Sequence, residues 1–170
     1  MNTVTKTIRQ ATPDDCALIY ELAVPAWKVA YSEILSREQM DYMLKMMYSE
    51  ESLKRQMLEG HMFFIVLCDD VPAGFISFHP QGEDLYILEK LYIHPHWQGL
   101  GAGRCLVQKA EEYIRKLHPA DRRILFELNV NRNNKAVDFY TRLGFRIDRE
   151  VNEDIGNGFY KNDYIMRKYI

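Results

Sequence analysis

The chain has 170 residues, of which 47% are hydrophobic and 27% are charged, and its formal net charge is −2. This length and composition are typical of one globular domain with a sizeable core. The charge argues against general nucleic-acid binding, which requires a basic surface, and no apolar run approaches the length that spans a membrane.

The chain shows no internal repeat, low-complexity tract or flexible linker, so we predict a single domain over residues 1–170. Its cysteines, Cys16, Cys68 and Cys105, lie far apart and form no C-x-x-C pair. That pattern favours neither disulfides nor a zinc site. The first ten residues are polar and carry no signal-peptide pattern, so we expect a cytoplasmic protein.

Apolar periodicity and turn residues predict the elements in chain order, starting with a short strand at 7–11. The segment 12–15 then offers a threonine N-cap, a proline at the first helical position and two acids, so a helix should begin there. Residues 27–35 are expected to bend between helices. Two further helices are predicted at 36–47 and 49–59.

The second half of the chain begins with three apolar segments separated by short turns, which predict an antiparallel meander. The last of them is almost continuously apolar and should be a central strand covered on both faces. The predicted elements from this point on are strands at 61–68, 74–79 and 84–93, a helix from 101 to 117, a strand at 123–130, a helix at 136–143 and strands at 145–151 and 160–170. This order predicts an α/β fold with a mixed sheet and not a doubly wound parallel sheet.

A glycine-rich turn joins the third meander strand to the following helix. Its glycines and the unpaired N–H groups of a helix start predict a site for an anion such as a pyrophosphate. The spacing matches neither G-x-G-x-x-G nor the G-K-[ST] ending of a P-loop. It does match Q-x-x-G-x-G at Gln98, Gly101 and Gly103, and in this it resembles the acyl-CoA-binding signature of the GNAT-type N-acetyltransferases.

A second stretch, from Asn133 to Phe145, is by itself a loop and a helix with an apolar face. It also resembles the second signature of that family, N-x-x-A-x-x-F-Y-x-x-x-G-F. The two signatures stand in the family's order, and residues 8–15 resemble its usual opening, so the resemblance covers most of the chain. The segment 154–166 resembles a bacterial subgroup that includes polyamine N-acetyltransferases.

The resemblance implies a GNAT-like sheet that splays between the fourth and fifth strands, with helices on both faces and acetyl-CoA in the gap. The fourth strand would pair with the pantetheine amides, the glycine turn would hold the pyrophosphate, and an asparagine would contact the cofactor arm. The implied cofactor-binding residues are Leu91, Tyr92, Ile93, Gln98, Gly99, Leu100, Gly101, Ala102, Gly103, Arg104 and Asn133. Tyr140 would protonate the leaving thiolate.

The general base is less clearly indicated. Many family members carry a glutamate six positions before the pantetheine-binding residue, and counting back from Ile93 this position is Ile87. Glu89 lies two residues further on and, by strand alternation, on the same face, so it is the candidate base, with a structural salt bridge as the alternative. A water relay and three histidines are also candidates: His79, His94 and His96.

These patterns predict an acetyl-CoA-dependent N-acetyltransferase that needs no metal and acts on a small primary amine, with a polyamine as one candidate. Two alternatives stay open. One is acetylation of a protein N-terminus or lysine. The other is a non-catalytic acyl-CoA-binding module, which stays open because position 87 is an isoleucine where many family members carry a glutamate. Members of this family often form homodimers, and the C-terminal strands are candidate contacts, but the sequence leaves the acceptor and the oligomeric state open.

Overall fold

The computed structural model describes residues 3–170. Its strands are β1 (Lys6–Gln10), β2 (Met62–Cys68), β3 (Val71–Pro80), β4 (Leu85–Ile93), β5 (Leu125–Asn131), β6 (Arg146–Gly156) and β7 (Phe159–Tyr169). Its helices are α1 (Cys16–Tyr31), α2 (Arg37–Tyr48), α3 (Glu50–Leu58), α4 (Ala102–Lys116) and α5 (Ala136–Arg142). Within the described part of the chain, every helix is too short or too polar to cross a bilayer.

The seven strands form one sheet in the order β1-β2-β3-β4-β5-β7-β6. Neighbouring strands are antiparallel except β4 and β5, which are parallel. Helices α1 to α3 pack on one face, where Trp27 and Phe75 share a buried cluster, and α4 packs on the other, where Leu106 and Phe78 share a second cluster. The predicted mixed, mostly antiparallel sheet with helices on both faces is therefore confirmed.

Side-chain and backbone hydrogen bonds close the first turn of each helical segment in the first third of the chain. The Asp15 carboxylate accepts a hydrogen bond from the Thr12 N–H at 2.8 Å, and this contact closes the first turn of the chain's first helical segment. Ser36 caps α2 by accepting from the Gln39 N–H at 3.1 Å, and Ser49 caps α3 in the same way.

The sheet splays where β4 leaves β5. The two strands pair only from Leu85 to Leu88, which face Leu125 to Leu128. Beyond this point β4 stays with β3 up to Ile93, while β5 stays with β7 up to Asn131. Because each strand follows its outer neighbour, a wedge-shaped gap opens between residues 89–93 and 129–131, as the resemblance implied.

A β-bulge marks the start of this gap. On β3, Ser77 pairs with Lys90 and Phe78 pairs with Leu88, so Glu89 is the extra residue of β4. A bulge re-aims side chains and locally disrupts the ladder. It therefore places Glu89 at the point where β4 turns away from β5.

Several predicted boundaries were wrong; β6, for example, extends to Gly156 and not only to residue 151. The expected bend at 27–35 is largely helical, because α1 continues through Pro25 to Tyr31 and buries Trp27, which is 1% exposed, against the sheet. Strand β3 begins at Val71 rather than at residue 74, because Asp69 and Asp70 both adopt positive φ and make a two-residue hairpin turn.

Candidate active site

The gap between β4 and β5 opens into a cleft of about 710 Å³, which we call the cofactor cleft. Its size lies within the range of small-molecule and cofactor sites. Of the residues that the resemblance implied, those that line it are Leu91, Tyr92, Ile93, Gln98, Gly99, Gly101, Ala102, Gly103, Arg104, Asn133 and Tyr140. Leu100 is the exception, since its side chain is 40% exposed and lies outside the cleft lining.

One wall of the cofactor cleft is the free edge of β4. Residues 89–93 pair with β3 on one side, and within residues 3–170 no strand pairs with their other side. Backbone N–H and C=O groups need partners when they are shielded from water. An extended ligand that carries amides can therefore add to this edge as a short strand.

The glycine turn forms the end wall of the cleft. Gly99 and Gly101 have φ of 80° and 83°, a left-handed conformation that glycine adopts at little cost. Gly101 immediately precedes the 15-residue helix α4, so the first N–H groups of α4 are unpaired and carry positive partial charge at the cleft. Two further cations, Lys135 and Arg142, line the same cleft with Arg104. The site is electropositive and suits a polyphosphate.

Gly103 has a different role within this turn. A Cβ atom at this position would lie 3.2 Å from Cζ of Phe139. The missing side chain thus allows α4 to pack closely on α5, and the open approach to the N–H groups belongs to Gly99 and Gly101, where a Cβ meets no atom within 4 Å.

Tyr140 projects from α5 into the cofactor cleft and is 7% exposed. Its hydroxyl has no hydrogen-bond partner among residues 3–170, and burial raises the pKa of Tyr140 above its ordinary value. The hydroxyl is therefore neutral at physiological pH and free to donate to a ligand. Asn133 lies on the same wall, in a loop held by a 2.9 Å hydrogen bond from its own N–H to Asn131 Oδ1.

A second cavity of about 680 Å³ lies on the other side of the splay, against the face of β5 and β7. Part of its opposite wall comes from Met43 and Met47 of α2. The residues that line both this cavity and the cofactor cleft are Tyr31, Leu88, Glu89, Tyr92 and Asn129. This junction is where molecules bound in the two spaces would meet.

Glu89 occupies the junction together with a histidine partner. His79 Nε2 lies 3.0 Å from Glu89 Oε1, and His79 Nδ1 lies 3.2 Å from the Pro80 carbonyl oxygen. The hydrogen bond to Glu89 raises the pKa of His79, and the same contact lowers the pKa of Glu89 to about 2. Glu89 is therefore ionised in the empty site. Ile87 and Glu89 both line the second cavity, but so does Leu88 between them, because the bulge interrupts the alternation on which the sequence argument for Glu89 relied.

The other histidines are not brought to the junction. His94 Nδ1 accepts from the His96 N–H at 3.1 Å in the short turn after β4, and neither residue lines the cofactor cleft or the second cavity. Two tyrosines that the sequence analysis did not select as catalytic groups do lie there. The hydroxyls of Tyr31 and Tyr92 are 2.9 Å apart at the junction.

Comparison with known proteins gives consistent results. A model of the acetyltransferase (GNAT) domain matches residues 32–165. The chain is 25% identical to a spermidine N(1)-acetyltransferase of Thermoplasma acidophilum over 166 residues, which cover 95% of each protein. Among solved structures, PaiA N-acetyltransferase from Thermoplasma acidophilum in complex with coenzyme A is 25% identical, with a TM-score of 0.79 over 98% of this chain and 99% of that one. A GCN5-related N-acetyltransferase from Rhodopseudomonas palustris is 22% identical and superposes with a TM-score of 0.81 over 100% of this chain and 99% of the other.

Proposed function

The chain belongs to the GNAT acetyltransferase family and is an acetyl-CoA-dependent N-acetyltransferase, and we propose that its acceptor is a small primary amine, with polyamines as the leading candidates. The observation that carries this proposal is the junction of two cavities at the bulge of β4. The coenzyme A complex of a relative supports acetyl-CoA in the cofactor cleft. The second cavity is then left for the amine.

The shape of the second cavity favours a small acceptor over a protein chain. The tip of the β6–β7 hairpin docks on α2, where Tyr42 donates to the Ile155 carbonyl at 3.0 Å and Gln39 donates to the Tyr160 carbonyl at 3.2 Å. These contacts tie the hairpin to the helical layer at one end of the cavity. A short flexible amine fits such a space, whereas a folded protein would have to present its own terminus or a lysine through the remaining opening.

A comparison of pKa values indicates how the amine loses its proton. An alkylammonium with a pKa of about 10.4 is neutral in about one molecule in 2,500 at pH 7, which costs about 4.6 kcal/mol. Direct transfer to the Glu89 carboxylate is less favourable still, because the hydrogen bond from His79 lowers the pKa of Glu89 to about 2. We therefore propose that Glu89 binds and orients the ammonium group, and that the proton leaves through water.

The neutral amine then attacks the thioester carbonyl carbon, the C–N bond forms, the nitrogen gives up its second proton through the same water path, and the C–S bond breaks to release coenzyme A thiolate. In our proposal the backbone of residues 91–93 holds the pantetheine arm, the turn at 98–104 holds the pyrophosphate, Asn133 contacts the arm, and Tyr140 protonates the thiolate. A thiol has a pKa near 8.5 and an ordinary tyrosine one near 10, so the transfer already costs about 2 kcal/mol. Because burial raises the pKa of Tyr140 further, the proton must move late, in concert with cleavage of the C–S bond.

The test is thiol release from acetyl-CoA by the purified protein across a panel of monoamines, diamines and polyamines and a peptide with a free N-terminus. We expect turnover with small amines and little with the peptide. Binding of acetyl-CoA without thiol release above the amine-free rate for any acceptor would instead favour the non-catalytic module. Preference for the peptide would favour the protein acetyltransferase. A homodimer and a cytoplasmic location stay predictions.

A further inference from the structure

Asp163 lies on the wall of the second cavity, at a position that none of the proposed roles uses. Along β7 the residues 161, 163, 165 and 167 line this cavity, as the alternation of a strand requires. Asp163 is 6% exposed, so its carboxylate is buried in the wall and is not part of the solvated surface. Asn129, which lies at the junction with the cofactor cleft, lines the same cavity.

Two of the other three carboxylates that line this cavity have cationic partners, and the third, Glu153, is exposed to solvent. Glu127 lies 3.4 Å from Arg167 and 3.6 Å from Arg149. Glu89 is paired with His79 at 3.0 Å. The two arginines leave Glu127 little affinity for a further cation, whereas the His79 contact uses only Oε1 of Glu89 and leaves Oε2 for the reacting ammonium group.

Asp163 differs because the cations around it are engaged elsewhere or lie too far away. Arg132 forms a 2.9 Å ion pair with Glu150 and also donates to Asn152 at 3.0 Å. Lys161 also lines the cavity, two residues before Asp163 on β7, and its charge acts on Asp163 from beyond ion-pair distance. Among residues 3–170, no basic side chain comes within ion-pair distance of the Asp163 carboxylate, and burial raises the pKa of Asp163.

A buried carboxylate without a cation is costly, and a ligand that brings a positive charge removes that cost. Building on the amine acetylation proposed above, we propose that Asp163 binds a second ammonium group of the acceptor and so makes the enzyme selective for diamines and polyamines over monoamines. Glu89 then holds the amino group that reacts, and Asp163 holds the one that does not. Asp163 is a specificity-determining residue in this arrangement and not a proton acceptor.

The test compares Asp163→Asn with the wild-type protein on 1,4-diaminobutane and on 1-aminobutane, which have the same carbon chain. Asparagine keeps the size and the hydrogen-bonding capacity of the side chain and removes the charge. A hydrogen-bonded charge pair in a buried site contributes enough that we expect kcat/KM for the diamine to fall by about tenfold to a hundredfold, mainly through KM. For the monoamine we expect a change of less than about twofold, because it never reaches Asp163 with a charge.

Asp121→Asn, an exposed position outside both cavities, is the matched control for the loss of one negative charge and should leave both substrates unaffected. Unchanged acetyl-CoA affinity and melting temperature will show that Asp163→Asn is folded. Equal losses of kcat on both amines would make Asp163 a proton acceptor and overturn the proposal, as would an unchanged preference for the diamine. If wild-type protein acetylates neither amine nor any other in the panel, it is the proposed function that fails.

Discussion

His79 and Glu89 form a 3.0 Å hydrogen-bonded pair in which the histidine points both ring nitrogens at oxygen acceptors. A carbonyl oxygen can only accept a hydrogen bond, so the Nδ1 atom must carry a proton. The Glu89 carboxylate accepts from Nε2 when that nitrogen also carries a proton, so protonation of His79 strengthens the pair and the pKa of His79 is raised. The charge of the pair therefore depends on pH, and its effects on stability and on catalysis can be measured by varying the pH.

The first prediction concerns stability. Because folding raises the pKa of His79, its contribution is present below about pH 6.5 and is lost as the pH rises through the raised value. Because folding lowers the pKa of Glu89 to about 2, its contribution is present above about pH 4.3 and is lost as the pH falls toward 2. The pair should stabilise the fold most between about pH 4.5 and 6.5.

Glu89→Gln should accordingly lower the melting temperature by about 2 °C at pH 5.5, a modest value because Glu89 is partly exposed and screened by solvent. The difference in melting temperature from wild type should shrink toward pH 9, as the pH rises through the raised pKa of His79. Thermal unfolding followed by circular dichroism at both values measures this. A gap of the same size at both pH values would show that the pair carries no charge of its own.

The second prediction concerns the path of the substrate proton. If water removes it, log kcat/KM for an amine should rise with a slope near one between about pH 6.5 and 9, in the wild type and in Glu89→Gln alike. The variant should raise KM by about tenfold, because the ammonium loses its ionised partner. Glu112→Gln on the exposed face of α4 serves as the control. A wild-type profile that is flat over this range, with a slope near one that appears only in Glu89→Gln, would restore Glu89 as the general base.

The third prediction concerns Tyr140. Replacement by phenylalanine should lower kcat by about tenfold to a hundredfold without abolishing turnover, because water can protonate the thiolate more slowly. Burial keeps the hydroxyl protonated, so the wild-type pH profile should show no loss of activity from tyrosine ionisation up to about pH 10.

Tyr86→Phe is the matched control for this substitution. Tyr86 is a buried tyrosine whose hydroxyl bonds His118 at 2.9 Å, and it lines neither the cofactor cleft nor the second cavity. It should lose some stability and keep its kcat. Full turnover in Tyr140→Phe with the best amine would remove the acid role from this residue.

The parts of the site that could be predicted from sequence are those that depend on the spacing of nearby residues along the chain. Glycines clustered in a turn predict positive backbone φ angles, and Gly99 and Gly101 do have positive φ. The periodicity of apolar residues was sufficient to predict the order of strands and helices and the mixed sheet. The splay of the sheet was predicted only from the family resemblance, because no local sequence pattern indicates where two parallel strands separate.

The parts that could not be predicted depend on partners distant in sequence. The bulge at Glu89 exists because Ser77 and Phe78 pair on either side of it, and the alternation of β4 alone gives no sign of it. The isolation of Asp163 depends on Arg132 being engaged by Glu150 on another strand. A single sequence gives residue types, whereas pairing of charges is a property of the folded arrangement.

The last prediction tests the glycine turn. Gly101→Ala places a Cβ on a residue with φ of 83° that has no protein atom within 4 Å, so the change strains the backbone without a steric clash. The same holds for Gly60, at the end of α3, with φ of 98°. Each substitution should therefore cost about 1 kcal/mol of stability.

Only Gly101→Ala should also weaken acetyl-CoA binding, by at least about tenfold, because its methyl group and the shifted backbone obstruct the N–H groups at the start of α4. Isothermal titration calorimetry of both variants decides the point. Equal affinities for acetyl-CoA in Gly101→Ala and Gly60→Ala would mean that the diphosphate is bound elsewhere.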